Sequence, residues 1–326
     1  MGITGLLPLL KSIQVQKHLS EFQGQTLAVD GYVWLHRGTY ACATDLATGR
    51  RTTKYVDYTM QKVRLLRAHG IRPYLVFDGG PLPAKRGTEG ERKQRRAENK
   101  ARGDAFAAQG RHTEARECYC KCVDVTPQMA FQVIKALRAE KIPYVVAPYE
   151  ADAQLAFLER EGIVDGIITE DSDLLVFGCQ RVLFKLDSTS ATLTSISRAD
   201  FGSVHPPDAT SKAKGKSVSL AGWSDTQFRA MAILSGCDYL PSVPGVGLKT
   251  AATLLRKHRT PEAAIRALRL EGKKDVPRGY AEAFHRAEKV FLHQRVYDPS
   301  QGRLVHLTPI PDGTGWSAED EAYVGE

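Results

Sequence analysis

No apolar run in this 326-residue chain approaches the roughly 20 residues of a membrane span. The longest, such as Tyr74–Phe77, are strand-length. The N-terminus carries no charged segment followed by an apolar stretch and a small-residue cleavage site, which argues against secretion. Leu6 stands where a myristoylation signal after Gly2 needs Ser or Thr. Cysteine is scarce, with six residues. Cys42, Cys179 and Cys237 are isolated, while Cys118, Cys120 and Cys122 alternate without a partner cluster at zinc-ligand spacing. Neither a disulfide framework nor a zinc centre is supported, and reduced thiols in a cytosolic or nuclear protein are expected. The Gly-x-x-x-x-Gly-Lys-Ser/Thr spacing of a P-loop is missing, so nothing points to ATP-driven chemistry.

What is present is ordinary in bulk and uneven in detail. The hydrophobic fraction of 42% and charged fraction of 25% suit a globular chain able to bury a sizeable core. Its length suggests about two units, or one large α/β domain. The net charge of +8 is modest. Between Lys85 and Arg102, however, eight basic residues outweigh three acids, so one short stretch holds more than half the excess.

Four short runs read as buried strands: 26–29, 73–77, 144–147 and 166–169, with a fifth at 181–186. Helical patterns separate them at 55–69, 127–140 and 152–161. Thr126 is placed to cap the second of these, with Pro127 at its first position. Strands alternating with helices predict an α/β fold with a mostly parallel central sheet flanked by helices. Residues 79–125 are too long and too charged for a simple crossover and are expected to form two mobile helices outside the sheet. Residues 205–222, rich in Pro, Ser, Lys and Gly, are expected to be a flexible loop. A helical part follows from 223, with helices to about Val296, and residues 309–326 are expected to fray. This divides the chain into a core at 1–204, the loop, a C-terminal part of the core at 223–308, and a tail.

The acids are not randomly placed. The first strand is followed by Asp30 and the second by Asp78. The third leads to Glu150 and Asp152, and the fourth to Glu170, Asp171 and Asp173. Ligands of open parallel sheets bind beyond the carboxyl ends of the strands. Asp238, after a helical run, could reach the same edge. Crowded carboxylates repel one another, and a bound cation relieves that. Oxygen donors without His or Cys favour Mg²⁺ or Mn²⁺ over zinc. So many carboxylates suit two ions, the arrangement that hydrolyses phosphodiesters.

Two further features suit nucleic acid. Gly245 and Gly247 form a turn between two helical patterns, with Lys249 just beyond, where backbone N–H groups can approach a phosphate. A plain helix–helix connection is the alternative. In the basic run, Lys85 and Arg92 lie about two helical turns apart and share a face. From there they could offset charge at a scissile phosphate. Arg95 and Arg96 extend the same surface. A solvated helix face or a nuclear import signal are the alternatives for this run. Tyr32 and His36 could stack on or wedge against a base.

Together these residues resemble the flap-endonuclease superfamily of structure-specific 5′ nucleases, over about residues 1–308. The matching segments are Met1-Gly2-Ile3-x-Gly5-Leu6, Val76-Phe77-Asp78-Gly79, Ala147-Pro148-Tyr149-Glu150-Ala151-Asp152-Ala153-Gln154, Thr169-Glu170-Asp171-Ser172-Asp173 and Gly236-Cys237-Asp238-Tyr239. Tyr32-x-Trp34-Leu35-His36-x-Gly38 and Glu150-x-Asp152 favour the eukaryotic exonuclease 1 branch. The stretch between Asp78 and Glu150 is too short for the excision-repair branch.

The resemblance implies a PIN-like 5′ nuclease fold with a helical arch and a helix–two-turns–helix element. It implies Asp30, Asp78, Glu150, Asp152, Asp171, Asp173 and Asp238 as ligands of two Mg²⁺, with Mn²⁺ as a substitute, and Lys85 and Arg92 as the catalytic basic pair. It also implies Tyr32 stacking on the terminal nucleotide beside a wedge at His36, Gly2 near the active site, and a structural K⁺ held by Ser235, Ser242 and Val246. The expected protein is a nuclear, monomeric 5′→3′ exonuclease and flap endonuclease without membrane attachment. Its expected partners are duplex DNA with 5′ ends, nicks, gaps or flaps, and mismatch-repair proteins reached through a C-terminal tail beyond this core. The alternatives are a replication-type flap endonuclease, a primase- or topoisomerase-like domain, and a catalytically weak junction-binding scaffold.

Overall fold

The computed structural model describes residues 2–204, 218–313 and 315–325. Its centre is a seven-stranded sheet. The strands are β1 (Val15–His18), β2 (Thr26–Asp30), β3 (Arg72–Phe77), β4 (Tyr144–Val146), β5 (Gly166–Ile168), β6 (Arg181–Asp187) and β7 (Thr192–Ser197), in the spatial order β1-β7-β6-β5-β2-β3-β4. β4, β3, β2, β5 and β6 run parallel, while β7 and β1 add an antiparallel edge. A separate hairpin joins β8 (Arg295–Asp298) to β9 (Arg303–His306).

Strand alternation sorts side chains onto two apolar cores. Leu27, Val29, Leu75, Phe77, Ile168 and Leu183 feed one face, which packs against helices Gly31–Thr39, Lys54–Ala68 and Pro127–Ala139. Ala28, Val76, Val145, Ile167 and Val182 feed the other, which meets Ala151–Arg160, Asp225–Leu234 and Tyr280–His293. Such strands are buried on both faces and read as continuous apolar runs, which made them visible in the sequence. Thr126 caps its helix by accepting from Met129 N, with Pro127 at the first turn.

Residues 79–125, called the arch below, leave the sheet as expected, in two helices, Arg86–Ala108 and His112–Cys122. The first is 23 residues long and buries only Gly103. The second buries Ala115, Cys118 and Tyr119, and Ala115 and Tyr119 form a small satellite core with Ala43.

Several expectations need correcting. The helical region does not continue to Val296: the helix ends at His293, and Val296 lies in β8. β1 and β7 had no apolar signature, because Val-Gln-Lys-His and Thr-Leu-Thr-Ser-Ile-Ser mix polar residues on a lightly covered edge. Of the segment expected to be a flexible loop, 205–217 lie outside the described residues, but Val218 and Leu220 are buried in the main core. The tail is not frayed. Residues Ala318–Val324 form a helix whose N-cap Ser317 exchanges capping hydrogen bonds with Asp320, and Val324 is fully buried. Acidic and glycine-rich composition concealed these specific contacts.

Glycines beside the sheet and in the arch should respond oppositely to alanine. A Cβ on Gly79 would meet the backbone carbonyl oxygen of Pro148 at 2.7 Å, where β3 and β4 leave the sheet together. Backbone cannot step aside, so Gly79→Ala should destabilise by about 1–3 kcal/mol. Gly90 lies inside the first arch helix with open space around it. There Gly90→Ala should stabilise by roughly 0.5–1 kcal/mol. Urea midpoints of the two variants moving in the same direction would contradict this.

Candidate active site

The carboxyl ends of β2, β3, β4 and β5 open onto one cleft of about 560 Å³. Asp30, Asp78, Glu150, Asp152, Asp171 and Asp238 line it, together with Tyr32, His36, Lys85, Arg92 and Arg96. Each acid is positioned by local structure. Asp30 ends β2 and caps the next helix, accepting from Val33 N at 3.2 Å, and its second oxygen accepts from Thr169 Oγ1 at 3.1 Å. Asp78 follows β3 and accepts from Ala151 N at 2.7 Å. Glu150 precedes the helix that carries Asp152 in its first turn. Asp171 accepts from Asp173 N at 3.0 Å. Asp173 lies buried behind the cleft, accepting from Ile3 N at 3.0 Å.

That last bond brings the N-terminus to the acids. Gly2 takes φ +80°, and a Cβ there would meet Asp173 Oδ1 at 2.7 Å and Ser172 Oγ at 2.5 Å. Only glycine suits both the backbone angle and the space.

The arch closes over the acids with its bases. Lys85 Nζ forms a short ion pair with Glu150 and contacts Asp238 Oδ2 at 2.9 Å. Arg92 reaches both carboxylate oxygens of Asp238, at 3.0 and 2.8 Å, and also Glu89 at 2.8 Å. Thr88 Oγ1 donates to the Asp238 carbonyl at 2.7 Å, so a helix some 150 positions away in sequence is laced to this turn. Arg96 pairs with Asp124 at 3.2 Å, while Arg95 is exposed and pairs with Glu91 at 3.5 Å. Tyr32 packs edge-on against Phe77, at 6.5 Å between ring centres. Three supporting groups carried no sequence signal of their role. Tyr239 OH donates to Glu150 Oε2 at 2.6 Å, Gln294 Nε2 reaches the same oxygen at 3.1 Å, and Thr169 serves Asp30. Tyr239 at least neighbours Asp238 in the matched motif.

The electrostatics follow from crowding and partial dehydration. Burial first, then the charges of Asp78 and Asp171, push Asp30 up to about 7. Burial and the Glu150 charge push Asp78 up to about 6. Asp152 and Asp173 are also pushed up, mainly by burial and then by the charge of Asp171. Asp238 behaves oppositely. Burial alone would raise it, but Lys85 and Arg92 together hold it below the ordinary carboxylate range. Burial lowers His36, and the nearby Arg96 and Arg92 act the same way.

This donor set fits hard divalent cations, since it is all oxygen, anionic and short of compensating charge. Among the described residues, no three acidic, His or Cys side chains converge into a closed shell. Lys85 stands between Glu150 and Asp238, the position from which an ammonium offsets their charge.

The glycine turn is a separate locus, and none of its residues lines the acidic cleft. Gly245 takes φ +76°, and Gly247 precedes helix Leu248–His258, with Lys249 exposed in its first turn. Lys274 Nζ donates to the Gly245 carbonyl at 2.9 Å. Ser235 Oγ donates to Ala232 O at 2.7 Å, Ser242 lies against Gly236, and Val246 is buried.

Raised carboxylate pKa values make a prediction for the metal-free chain. Asp30 and Asp78 are stabilising while protonated, and that stability is lost as pH rises through their folded values of about 7 and about 6. Melting temperature should therefore fall between pH 5 and 7.5 without divalent ions, and Asp30→Asn should raise it more at pH 7.5 than at pH 5. Equal effects at both pH values would refute the assignment.

Comparison with known proteins agrees with this layout. The XPG N-terminal domain model matches residues 1–99 and the XPG I-region model residues 141–238. Exonuclease 1 of Arabidopsis thaliana is 47% identical over 325 residues, covering 100% of this chain and 42% of that protein. DNA damage-inducible protein DIN7 of Saccharomyces cerevisiae is 38% identical, covering 95% of this chain and 70% of that protein. A structure of the catalytic core of Rad2 in complex with DNA substrate shares the fold, with a TM-score of 0.60 at 21% identity over 88% of this chain and 80% of that one. The chain spans about half the length of the exonuclease 1 relatives it matches. With both models lying on the acid-bearing segments and 38% to 47% identity to these relatives over 95% or more of this chain, the chain belongs to the XPG/flap-endonuclease superfamily, on its exonuclease 1 branch.

Proposed function

We propose that this chain is the nuclease core of a 5′→3′ double-stranded DNA exonuclease with 5′ flap endonuclease activity, hydrolysing phosphodiesters with two Mg²⁺ or Mn²⁺ ions. One observation carries the proposal: acids from four parallel strand ends and from the Asp238 turn face a single cleft, into which the arch inserts Lys85 and Arg92. The relatives named exonuclease 1 and exodeoxyribonuclease 1 support it. The ions would be held by Asp30, Asp78, Glu150, Asp152, Asp171, Asp173 and Asp238. Bound there, they would supply an activated water and charge stabilisation at the leaving oxygen.

The chain's own groups do the rest. Lys85 and Arg92 exchange their carboxylate partners for the scissile phosphate and offset its growing charge. Tyr32 and His36 hold the unpaired end at the cleft mouth, with Arg95 and Arg96 along the approach. The turn at Gly245 and Gly247, with Lys249, holds the uncut duplex by its phosphates. A K⁺ ion at Ser235, Ser242 and Val246 would brace that turn. The substrate is duplex DNA with a 5′ end, nick, gap or flap. The setting is nuclear mismatch repair, end resection and replication-associated repair, by a monomer whose further sequence would engage mismatch-repair proteins.

End-labelled 5′-recessed duplex and 5′-flap DNA test this directly. Mg²⁺ should be required for cleavage, and Asp173→Ala should abolish it. Lys85→Ala should slow single-turnover cleavage by about 10²-fold or more while leaving the duplex Kd within a few-fold. Intact substrate in the presence of Mg²⁺, or full activity in Asp173→Ala, would overturn the proposal. A Lys85→Ala effect confined to binding would remove that residue from the chemistry. Affinity should also fall steeply with salt, as phosphate contacts release counterions.

A further inference from the structure

The C-terminal helix Ala318–Val324 touches two parts of the molecule that the proposed reaction depends on. Its start is pinned to the body. Trp316 lies edge-on between His293 and His306, at 5.3 and 5.8 Å, under the ammonium of Lys289 at 5.2 Å. Its indole N–H donates to Glu321 at 2.7 Å. Lys289 also pairs with Asp320 at 2.7 Å, and Arg295 pairs closely with Glu321. The far end reaches the root of the arch. Val324 is fully buried in the same apolar cluster as Leu82, with Ala84 packed against it, and the helix lies along the turn Pro83–Lys85. Gly325, at φ +105°, lies so close to the Tyr149 ring that a Cβ would meet its carbons at 2.6–2.7 Å.

These two contacts fall on the backbone neighbours of one ion pair. Lys85 ends the turn that the helix covers, and Tyr149 immediately precedes Glu150. Lys85 and Glu150 are 65 residues apart in sequence, and their approach is set by where the arch root and the exit of β4 are held. The first arch helix gives the root little apolar support, because its apolar contacts, Gly103, Phe106 and Ala107, lie at its far end.

We infer that the C-terminal helix is a clamp on the arch root, with Trp316 and Gly325 acting as positioning residues for Lys85. Trp316 fixes the helix to the body, and Gly325 lets its end close onto Tyr149. The clamp sets the geometry of Lys85 against the acids without touching substrate. This inference rests on the nuclease activity proposed above.

Two point variants in the full chain test it, Trp316→Ala and Gly325→Val, each alone and combined with Lys85→Ala. Both should lower the single-turnover rate on 5′-recessed duplex about tenfold, with the Kd unchanged within roughly twofold. In the Lys85→Ala background each should cost less than about twofold, because residues acting through one group are not additive. Equal losses in both backgrounds, or no loss with Lys85 present, would overturn the clamp.

A second arm needs no activity. Trypsin cleavage after Lys85 and Arg86, followed by mass spectrometry, should speed up at least about fivefold in both variants as the root opens locally. Unchanged cleavage there would overturn the clamp. A chain that cleaves no DNA at all would instead refute the nuclease proposal and leave the proteolysis result to decide the clamp.

Discussion

Like charge gathered at one sheet edge is the constraint on which the rest of this structure turns. Four parallel strands end in carboxylates because the parallel sheet sends all their carboxyl ends the same way. Burial and mutual repulsion then push Asp30, Asp78, Asp152 and Asp173 upward together. A fold stabilised by only a small margin cannot leave such a cluster unanswered. Three answers are visible. Backbone N–H groups of Val33, Ala151, Asp173 and Ile3 donate to individual carboxylates. Tyr239 and Gln294 share one oxygen of Glu150. Lys85 and Arg92 bring positive charge across from the arch.

The last answer links stability to function. The groups proposed to act on the phosphate are those that quiet the acids. Asp238 shows the linkage most directly, since both bases converge on it and hold it ionised where its neighbours favour protonation. On the proposed reading, Lys85 and Arg92 serve two anionic partners in turn, the carboxylates of Glu150 and Asp238 and the scissile phosphate. Charge moves between partners rather than being created, so the site can reach its working state without burying an unpaired ion along the way.

Much of this was legible in the sequence, and the reason is physical. Strands buried on both faces must be apolar throughout, so β2, β3 and β5 stood out, and the acids that follow them were conspicuous by contrast. The helix from Pro127 was legible through its cap. β1 and β7 were not, because an edge strand such as Val15–His18 needs no apolar signature. The pairing of Lys85 with Glu150 was not legible either, since no local pattern reports a contact across 65 residues. Gln294 was silent for the same reason. The C-terminal helix misled most. Its glycine and acids suggested fraying, whereas two of the three acids in its first turn, Asp320 and Glu321, are paired to the body and Glu319 faces the groove beside Arg86.

The arch combines these points. A 23-residue helix that buries a single glycine has little hydrophobic hold outside its far end, where Phe106 and Ala107 pack on the satellite core. It also meets the second arch helix through Gly103 against the Tyr119 ring, Asp124 through Arg96, and the active site through Thr88 and Arg92, with Lys85 just before its first residue. Ion pairs are screened by salt and compete with charged ligands, whereas apolar burial has no charge to screen. An element positioned by ion pairs responds to a polyanion, and one positioned by a core does not. On the proposed reading, the arch, held along its length by ion pairs, is the element that DNA phosphates would adjust.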